Sequence, residues 1–121
     1  MSHSHLPHDH GQQSAEILSK LPCQEDFASV AELLHLLGED SRLRLFCLLC
    51  HCEECVINLS SLMNMSPPAL SHHLKLLKTA GLITGRREGK EVYYKAADTE
   101  TVRSLHHATE ALFAITCPQG E

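Results

Sequence analysis

A mainly α-helical domain with a single β-hairpin is the fold class that this 121-residue chain predicts. Apolar residues recur at helical spacing over most of the chain, whereas one segment near residue 88 places β-favouring residues on both sides of a glycine. The aromatic share is 4% and tryptophan is absent, so leucine, alanine and valine must build the core, as suits packed helices. The length corresponds to one domain with a modest core.

The N-terminal part predicts an arm followed by two helices. Residues 1–11 contain four histidines and no apolar periodicity, so we expect a mobile arm ahead of a folded domain over residues 12–121. A short helix is predicted over 12–20. A longer one is predicted over 24–37, where apolar residues recur every three or four positions.

The next two helices are predicted on either side of a cysteine-rich segment. Asp40 or Ser41 is suited to cap a helix that runs to about Cys50, and residues 56–63 predict another helix. The core-facing side of the first of these helices is predicted to consist of Leu43, Phe46, Cys47 and Leu49.

The helix predicted over 67–79 has the clearest signals. Ser66 is a favourable N-cap, and the two prolines that follow occupy positions whose N–H groups have no helical partner. Gly81 is expected to end the helix. Its core side is predicted to consist of Leu70, Leu74 and Leu77, and its outer side of Ser71, His72, Lys75 and Lys78.

A β-hairpin and a last helix complete the domain. Strands are predicted over 82–87 and 90–96 around the turn Glu88-Gly89, and a helix over 99–116. This order predicts a winged helix-turn-helix with extra helices at both ends. Those outer helices have apolar stripes that a small domain does not cover, so we expect a homodimer formed through the terminal helices.

Charge is distributed unevenly. Between Ser66 and Lys95 there are six lysines and arginines and two acids, whereas the rest of the chain has four against thirteen, and the net charge is −5. An acidic body with one basic face turns that face toward phosphate. A helix followed by a basic β-ribbon suits entry into one DNA groove with support on the neighbouring phosphates. We therefore expect a regulator that binds double-stranded DNA.

These segments resemble the ArsR/SmtB repressors. The motifs are Leu37–Phe46 (LGEDSRLRLF), Glu53–Leu59 (EECVINL), Ser71–Leu77 (SHHLKLL) and Arg87–Tyr94 (REGKEVYY). The resemblance implies a homodimer that represses its operator and releases DNA when an inducer binds, usually a metal or metalloid ion and in one branch reactive sulfur. It also implies, with the outward lysines, a DNA-binding set of Ser66, Ser71, His72, Lys75 and Lys78 on the recognition helix and Arg86, Arg87 and Lys90 on the wing.

A cysteine cluster is the first candidate for sensing. Thiolate and imidazole are the ligands that zinc and softer ions prefer, and Cys52-x-x-Cys55 has a common ligand spacing. By the resemblance, Cys55 matches the first cysteine of the family's metal motif, but Ile57 and Asn58 replace the second cysteine and the aspartate. Relatives with that site also take ligands from the N-terminal arm. The predicted ligands of this inducer ion, zinc or another thiophilic metal, are Cys55, Cys52, Cys23 and His51, joined by the arm residues His3, His5, His8 and His10.

Two alternatives remain open. The family's second metal site, on the last helix, would here involve Asp98, Glu100, His107 and Glu110, although the later pair stands about one turn early. The other alternative is a thiol switch: Cys47 matches one cysteine of the sulfur-sensing branch, and Cys117 lies about one turn from the other.

Other classes of protein are disfavoured by the sequence. No activated serine, cysteine or carboxylate pair has a recognisable catalytic setting, so we do not expect an enzyme. No apolar run approaches the ~18 residues of a membrane span and no signal peptide opens the chain, so a cytoplasmic location and no membrane partner are expected.

Overall fold

The computed structural model describes residues 6–117. Its elements in that range are α1 (Ser14–Ser19), α2 (Gln24–Leu36), α3 (Asp40–His51), β1 (Glu54–Cys55), α4 (Val56–Met63), α5 (Pro67–Thr79), β2 (Ile83–Glu88), β3 (Glu91–Ala96) and α6 (Glu100–Thr116). They confirm the predicted winged helix-turn-helix. None of the helices in the described range is long and apolar enough to cross a membrane.

The chain divides into two compact units, Met1–Glu32 and Leu33–Glu121, with the boundary inside α2. In the first unit, α1 and the start of α2 leave every described residue exposed except Ala15, which is half-buried. The second unit contains the core. Its largest fully buried side chains are Phe46, Leu45, Leu49, Leu59, Leu70, Leu77, Leu82 and Ile83.

The start of α3 differs from the sequence prediction, which placed the cap at Asp40 or Ser41. The N-cap is Glu39, whose carboxylate accepts a hydrogen bond of 2.8 Å from the backbone N–H of Arg42. Asp40 lies in the first turn, where its charge still favours the helix N-terminus. The residues preferred at an N-cap have short side chains (Ser, Thr, Asp or Asn), and the longer Glu39 takes that role here.

A tight turn joins α4 to α5 and sets the angle of the second helix. Asn64 adopts a left-handed conformation with φ of 55°, which asparagine tolerates better than most residues. The Ser60 hydroxyl donates a 2.6 Å hydrogen bond to the carbonyl of Met65, and Ser66 accepts one from the N–H of Ala69. The predicted cap and the predicted bounds of α5 are both confirmed.

The hairpin pairs β2 with β3 through a turn at Gly89, whose φ of +63° suits glycine. The observed strands begin one residue later than predicted. A third strand, β1, was missed: its two residues pair with β3, as Glu54 opposite Tyr94 and Cys55 opposite Tyr93. A two-residue strand is too short to show the alternation of apolar and polar residues that predicts a strand. In the structure it attaches the β2–β3 hairpin, the wing, to the segment that follows α3.

The last helix begins where the sequence indicates and ends in an apolar surface. Thr99 caps α6 by accepting a hydrogen bond of 3.2 Å from the N–H of Val102, which is buried. Further along, Leu112, Phe113 and Ile115 remain 59%, 42% and 74% exposed. The predicted apolar stripe is therefore buried at its start and uncovered at its end within one chain.

Two leucines on α4 provide a matched test of the core. Leu59 is fully buried, whereas Leu62 is 61% exposed. Leu59→Ala should lower the free energy of unfolding by about 2–5 kcal/mol, because it leaves a cavity among packed leucines. Leu62→Ala should change it by less than about 0.5 kcal/mol. Chemical denaturation at one fixed protein concentration measures both, and equal losses would contradict the assigned core.

Candidate DNA-binding surface and metal-ligand cluster

The outer face of α5 is free to meet a ligand. Leu70, Leu74 and Leu77 are 0–4% exposed, which fixes the orientation of the helix about its axis. The opposite face is exposed, and the residues predicted there to contact DNA are Ser66, Ser71, His72, Lys75 and Lys78. A helix with its leucines buried and its small polar and basic groups outward has the form of a recognition helix.

His73, the neighbour of His72, packs against the protein. It is half-buried, and its Nδ1 lies 3.3 Å from Nη1 of Arg42 on α3. Arg42 also donates through Nε to the carbonyl of Leu36 at 2.7 Å. His73 therefore helps fix α5 against α3, and His72 is the histidine that faces outward.

Arg86, predicted as a DNA-binding residue of the wing, is engaged within the protein. Its Nε and Nη2 donate to the two carboxylate oxygens of Glu53 at 2.9 and 3.1 Å, and its Nη1 donates to Glu88 at 2.6 Å. The guanidinium also lies 4.7 Å from the centre of the Tyr93 ring. Hydrogen bonding from Arg86 lowers the pKa of the Glu53 carboxyl. Arg86 thus anchors the wing to the residue that precedes β1.

Arg87 and Lys90 are cations of the wing that are available to pair with DNA phosphates. Both are exposed, and neither takes part in an ion pair with any part of the chain that the structure describes. Lys75 and Lys78 on α5 are likewise outside every ion pair in this range. The free cations of the helix and the wing are the groups that can pair with phosphate.

The predicted cysteine ligands differ in accessibility. Cys55 is buried, with 7% exposure, in the strand β1. Cys52 is exposed at the C-cap of α3, where its thiol donates to the carbonyl of Leu48 at 3.5 Å. Cys23 is exposed in the first unit. Cys52 can meet an ion directly, whereas Cys55 is largely covered by the surrounding residues.

The two cysteines on α3 are only partly exposed. Cys47, which was predicted on the core-facing side, and Cys50 are half-buried against the core, and burial raises the pKa of Cys47 and raises that of Cys50 to about 11. The neighbour of Cys47 on α6 is Thr109. Cys117 is exposed and lies eight residues further, about two turns along the helix. The thiol-switch alternative stays a prediction that these positions do not favour.

The ligands predicted on the last helix are dispersed. Asp98 pairs with Arg103 at 2.7 Å, and Glu100 and His107 are exposed. Of the arm histidines, His8 and His10 are exposed, with ring centroids 6.0 Å apart, while the other two predicted arm ligands lie outside the described residues: His3 and His5.

Two of the predicted ligands, His51 from the cysteine cluster and Glu110 from the last helix, lie close together. His51 at the end of α3 and Glu110 on α6 converge with His106, one turn before Glu110. The Nε2 atoms of His51 and His106 are 3.3 Å apart, and Oε2 of Glu110 lies 3.8 Å from the first and 3.4 Å from the second. The ligand atoms of a tetrahedral zinc site, each about 2.0–2.2 Å from the ion, lie roughly 3.3–3.6 Å apart. The three side chains therefore fit a divalent ion.

His106 is not among the ligands predicted from the sequence, where Glu110 was paired with His107. The spacing of four residues between His106 and Glu110 places both on one helical face, and this was the available signal. The contact of α6 with His51, fifty-five residues away, has no local signature.

Comparisons with known proteins agree with this architecture. Residues 39–84 match the model of a family described as bacterial regulatory protein, arsR family. A biofilm growth-associated repressor of Agrobacterium fabrum is 37% identical over 102 residues, 84% of each chain. A cadmium resistance transcriptional regulatory protein CadC homolog of Staphylococcus aureus is 38% identical over 77 residues, 63% of each chain.

A solved structure of similar fold comes from Mycobacterium bovis. It is the homodimeric winged helix-turn-helix DNA-binding domain of Mb0332, a possible ArsR-family transcriptional regulator, in solution. The TM-score is 0.62 at 28% identity, and the match covers 85% of this chain and 88% of that one.

The free cations of the wing predict a change in salt dependence. Arg87→Ala should weaken binding to double-stranded DNA and reduce the slope of log affinity against log salt by about 1, because one phosphate contact is lost. Arg103→Ala, which removes an exposed cation on α6, should leave the slope unchanged. Fluorescence anisotropy at several salt concentrations measures both. Equal slopes for the wild type and Arg87→Ala would remove Arg87 from the interface.

Proposed function

This chain belongs to the ArsR family of bacterial regulatory proteins and is a DNA-binding transcriptional repressor, and we propose that binding of a metal ion relieves its repression. Its family and fold are those of regulators, not of enzymes. The observation that carries the proposal is the connection between the ligand-rich end of α3 and the wing. We also propose a cytoplasmic location, because a bacterial repressor binds operator DNA and that DNA lies in the cytoplasm.

Strand β1 provides that connection. It begins two residues after Cys52, contains Cys55, and pairs with β3 of the wing. Glu53, the residue before β1, accepts two hydrogen bonds from Arg86 on β2. Engagement of Cys55 by an ion requires β1 to move, and movement of β1 disturbs the strand to which the wing is paired. Ion binding and DNA binding would then favour different geometries, which is the requirement for allosteric release.

The ligand chemistry of this segment suits a thiophilic ion. We propose Cys55, Cys52 and His51, with Cys23 as a further donor, as the set that binds zinc or a softer ion as inducer. Cys52 is exposed and can begin coordination before Cys55 is uncovered. Support comes from the relative whose name links it to cadmium resistance.

We propose that the repressor acts as a homodimer formed through its outer helices. Phe27, Val30 and Leu34 on α2 are 49%, 54% and 60% exposed, in addition to the apolar end of α6. Monomeric proteins seldom leave so many large apolar side chains uncovered without a partner. The Mycobacterium bovis neighbour is described as homodimeric, and a two-fold dimer matches a two-fold DNA site.

Metal-induced release is tested by a titration of the complex with a fluorescent duplex from the region upstream of the gene. Cadmium or zinc should weaken binding by about 5–150-fold, the usual range of allosteric coupling. Cys55→Ser should bind the duplex like the wild type but lose the cadmium response. Cys117→Ser, which changes an exposed cysteine outside the ligand set, should keep it.

Two results would contradict metal-induced release. One is an unchanged anisotropy with every metal tested. The other is release by polysulfide alone, with a Cys47–Cys117 link found by mass spectrometry, which would establish the thiol switch instead.

The dimer proposal is tested by a charge placed on the apolar end of α6. Ile115→Lys should raise the monomer–dimer dissociation constant by about 100-fold or more, since the substitution is present in both subunits and burial of each large apolar side chain contributes roughly 1.5–3 kcal/mol. Ile57→Lys changes an isoleucine of similar exposure on α4, 70% against 74%, and should leave the constant unchanged. Sedimentation equilibrium measures both, and equal effects of the two substitutions would place the interface elsewhere.

A further inference from the structure

We propose that His51, His106 and Glu110 form a second divalent-metal site, which takes borderline ions such as Zn²⁺, Co²⁺ or Ni²⁺ through nitrogen and oxygen alone. All three residues lie in the second compact unit. In residues 6–117 they are the one group of three or more candidate ligands whose donor atoms lie within 4.8 Å of one another. The site differs from the cysteine set in its chemistry and in the helix that supplies most of its ligands.

The distances between the three donor atoms match those of ligands around one ion. His51 Nε2 and Glu110 Oε2 are 3.8 Å apart, and His106 Nε2 and Glu110 Oε2 are 3.4 Å apart. Charge-assisted N–H···O hydrogen bonds are shorter, about 2.7–2.9 Å. Separations of roughly 3.3–3.6 Å are expected between ligands of a tetrahedral ion, so two of the three distances need no change and the third needs a few tenths of an ångström.

The two imidazoles also face each other with equivalent atoms. Their Nε2 atoms are 3.3 Å apart, and the rings are nearly perpendicular, at 80°. With one Nε2 protonated the pair forms a hydrogen bond at this distance, and with both unprotonated their lone pairs face each other. A cation between them satisfies both lone pairs at once, and the Glu110 carboxylate supplies negative charge beside it.

The fold supplies the ligands from two rigid elements. His106 and Glu110 are one turn apart on α6, the i, i+4 spacing that places two ligands on one face of a helix. His51 is the last residue of α3, which packs into the core through Leu45, Phe46 and Leu49. Ligands on packed helices need little ordering when an ion binds, which favours affinity.

The exposure of the three side chains leaves room for an exchangeable ion. The side chains of His51, His106 and Glu110 are 62%, 28% and 53% exposed, so an ion enters without any opening of the core. Three protein ligands leave the fourth tetrahedral position to water. Without a thiolate, the set suits zinc, cobalt or nickel better than the soft ions that cysteines select.

Coordination here would join the end of α3 to the middle of α6. His51 is two residues before Glu53, which is hydrogen-bonded to Arg86 of the wing. Glu110 is two residues before the exposed apolar segment that begins at Leu112. The three ligands therefore stand between the wing contact and the surface that we propose for the dimer. The existence of the site does not depend on the mechanism of release.

The test is a cobalt titration of the full-length protein followed by visible absorption, which reports four-coordinate Co²⁺. His106→Gln should weaken the binding of Co²⁺ at least tenfold and remove the corresponding bands. His107→Gln, which changes the neighbouring exposed histidine, should behave as the wild type, and so controls for the histidine arm and for surface binding. Cys52→Ser combined with Cys55→Ser should retain the bands. Metal-free DNA binding checks that every variant is folded.

The outcomes separate this site from the proposed function. Wild-type cobalt binding in His106→Gln, or loss of the bands in the cysteine double variant alone, overturns the site whatever happens at the operator. Loss of binding in His106→Gln supports it. If that loss occurs while no metal weakens operator binding by the wild type, the site stands and metal-induced release fails. Crystals grown with zinc add a direct measurement: the anomalous peak should lie about 2.0–2.2 Å from the three donor atoms.

Discussion

The two-point contact between Glu53 and Arg86 is the interaction on which the proposed coupling between the ligand-rich segment and the wing depends. Exposed ion pairs usually contribute at most about 1 kcal/mol to stability. This one has the paired geometry that gives arginine–carboxylate contacts direction, and the guanidinium also lies over the Tyr93 ring. With the pairing of β1 to β3 beside it, the contact fixes the wing to the end of α3. A displacement of residues 51–55 must therefore reach the wing.

The basic surface is expected to bind DNA phosphates through the cations that the Glu53–Arg86 contact leaves available. Arg86 contributes its charge to the wing but has its donors occupied, so Arg87 and Lys90 are left for phosphate, together with the lysines of α5. The net charge of −5 does not oppose this, because the acids lie mostly outside residues 66–95. Repulsion from the acidic body instead orients the approach, so that the recognition helix and the wing meet the duplex first.

Local signals in the sequence were sufficient for the helices and insufficient for the contacts between them. Ser66, the two prolines and Gly81 predict the bounds of α5 because each acts on the backbone of its own neighbours. The missed features connect distant segments: β1 with β3, Arg86 with Glu53 thirty-three residues away, and His51 with His106. The roles of Arg86 and His106 depend on that packing, so no pattern within one element contains them.

His51 belongs to both proposed ligand sets, which has a consequence for ion selectivity. One Nε2 atom binds one ion, and in this geometry it points toward His106 and Glu110. A thiophilic ion gains more from Cys52 and Cys55 and must draw His51 toward β1, whereas a borderline ion gains two ligands on α6 and leaves β1 paired to the wing. The two kinds of ion therefore compete for one imidazole with opposite effects on β1. The choice between them is set by ligand softness, and the strand that supports the wing responds to it.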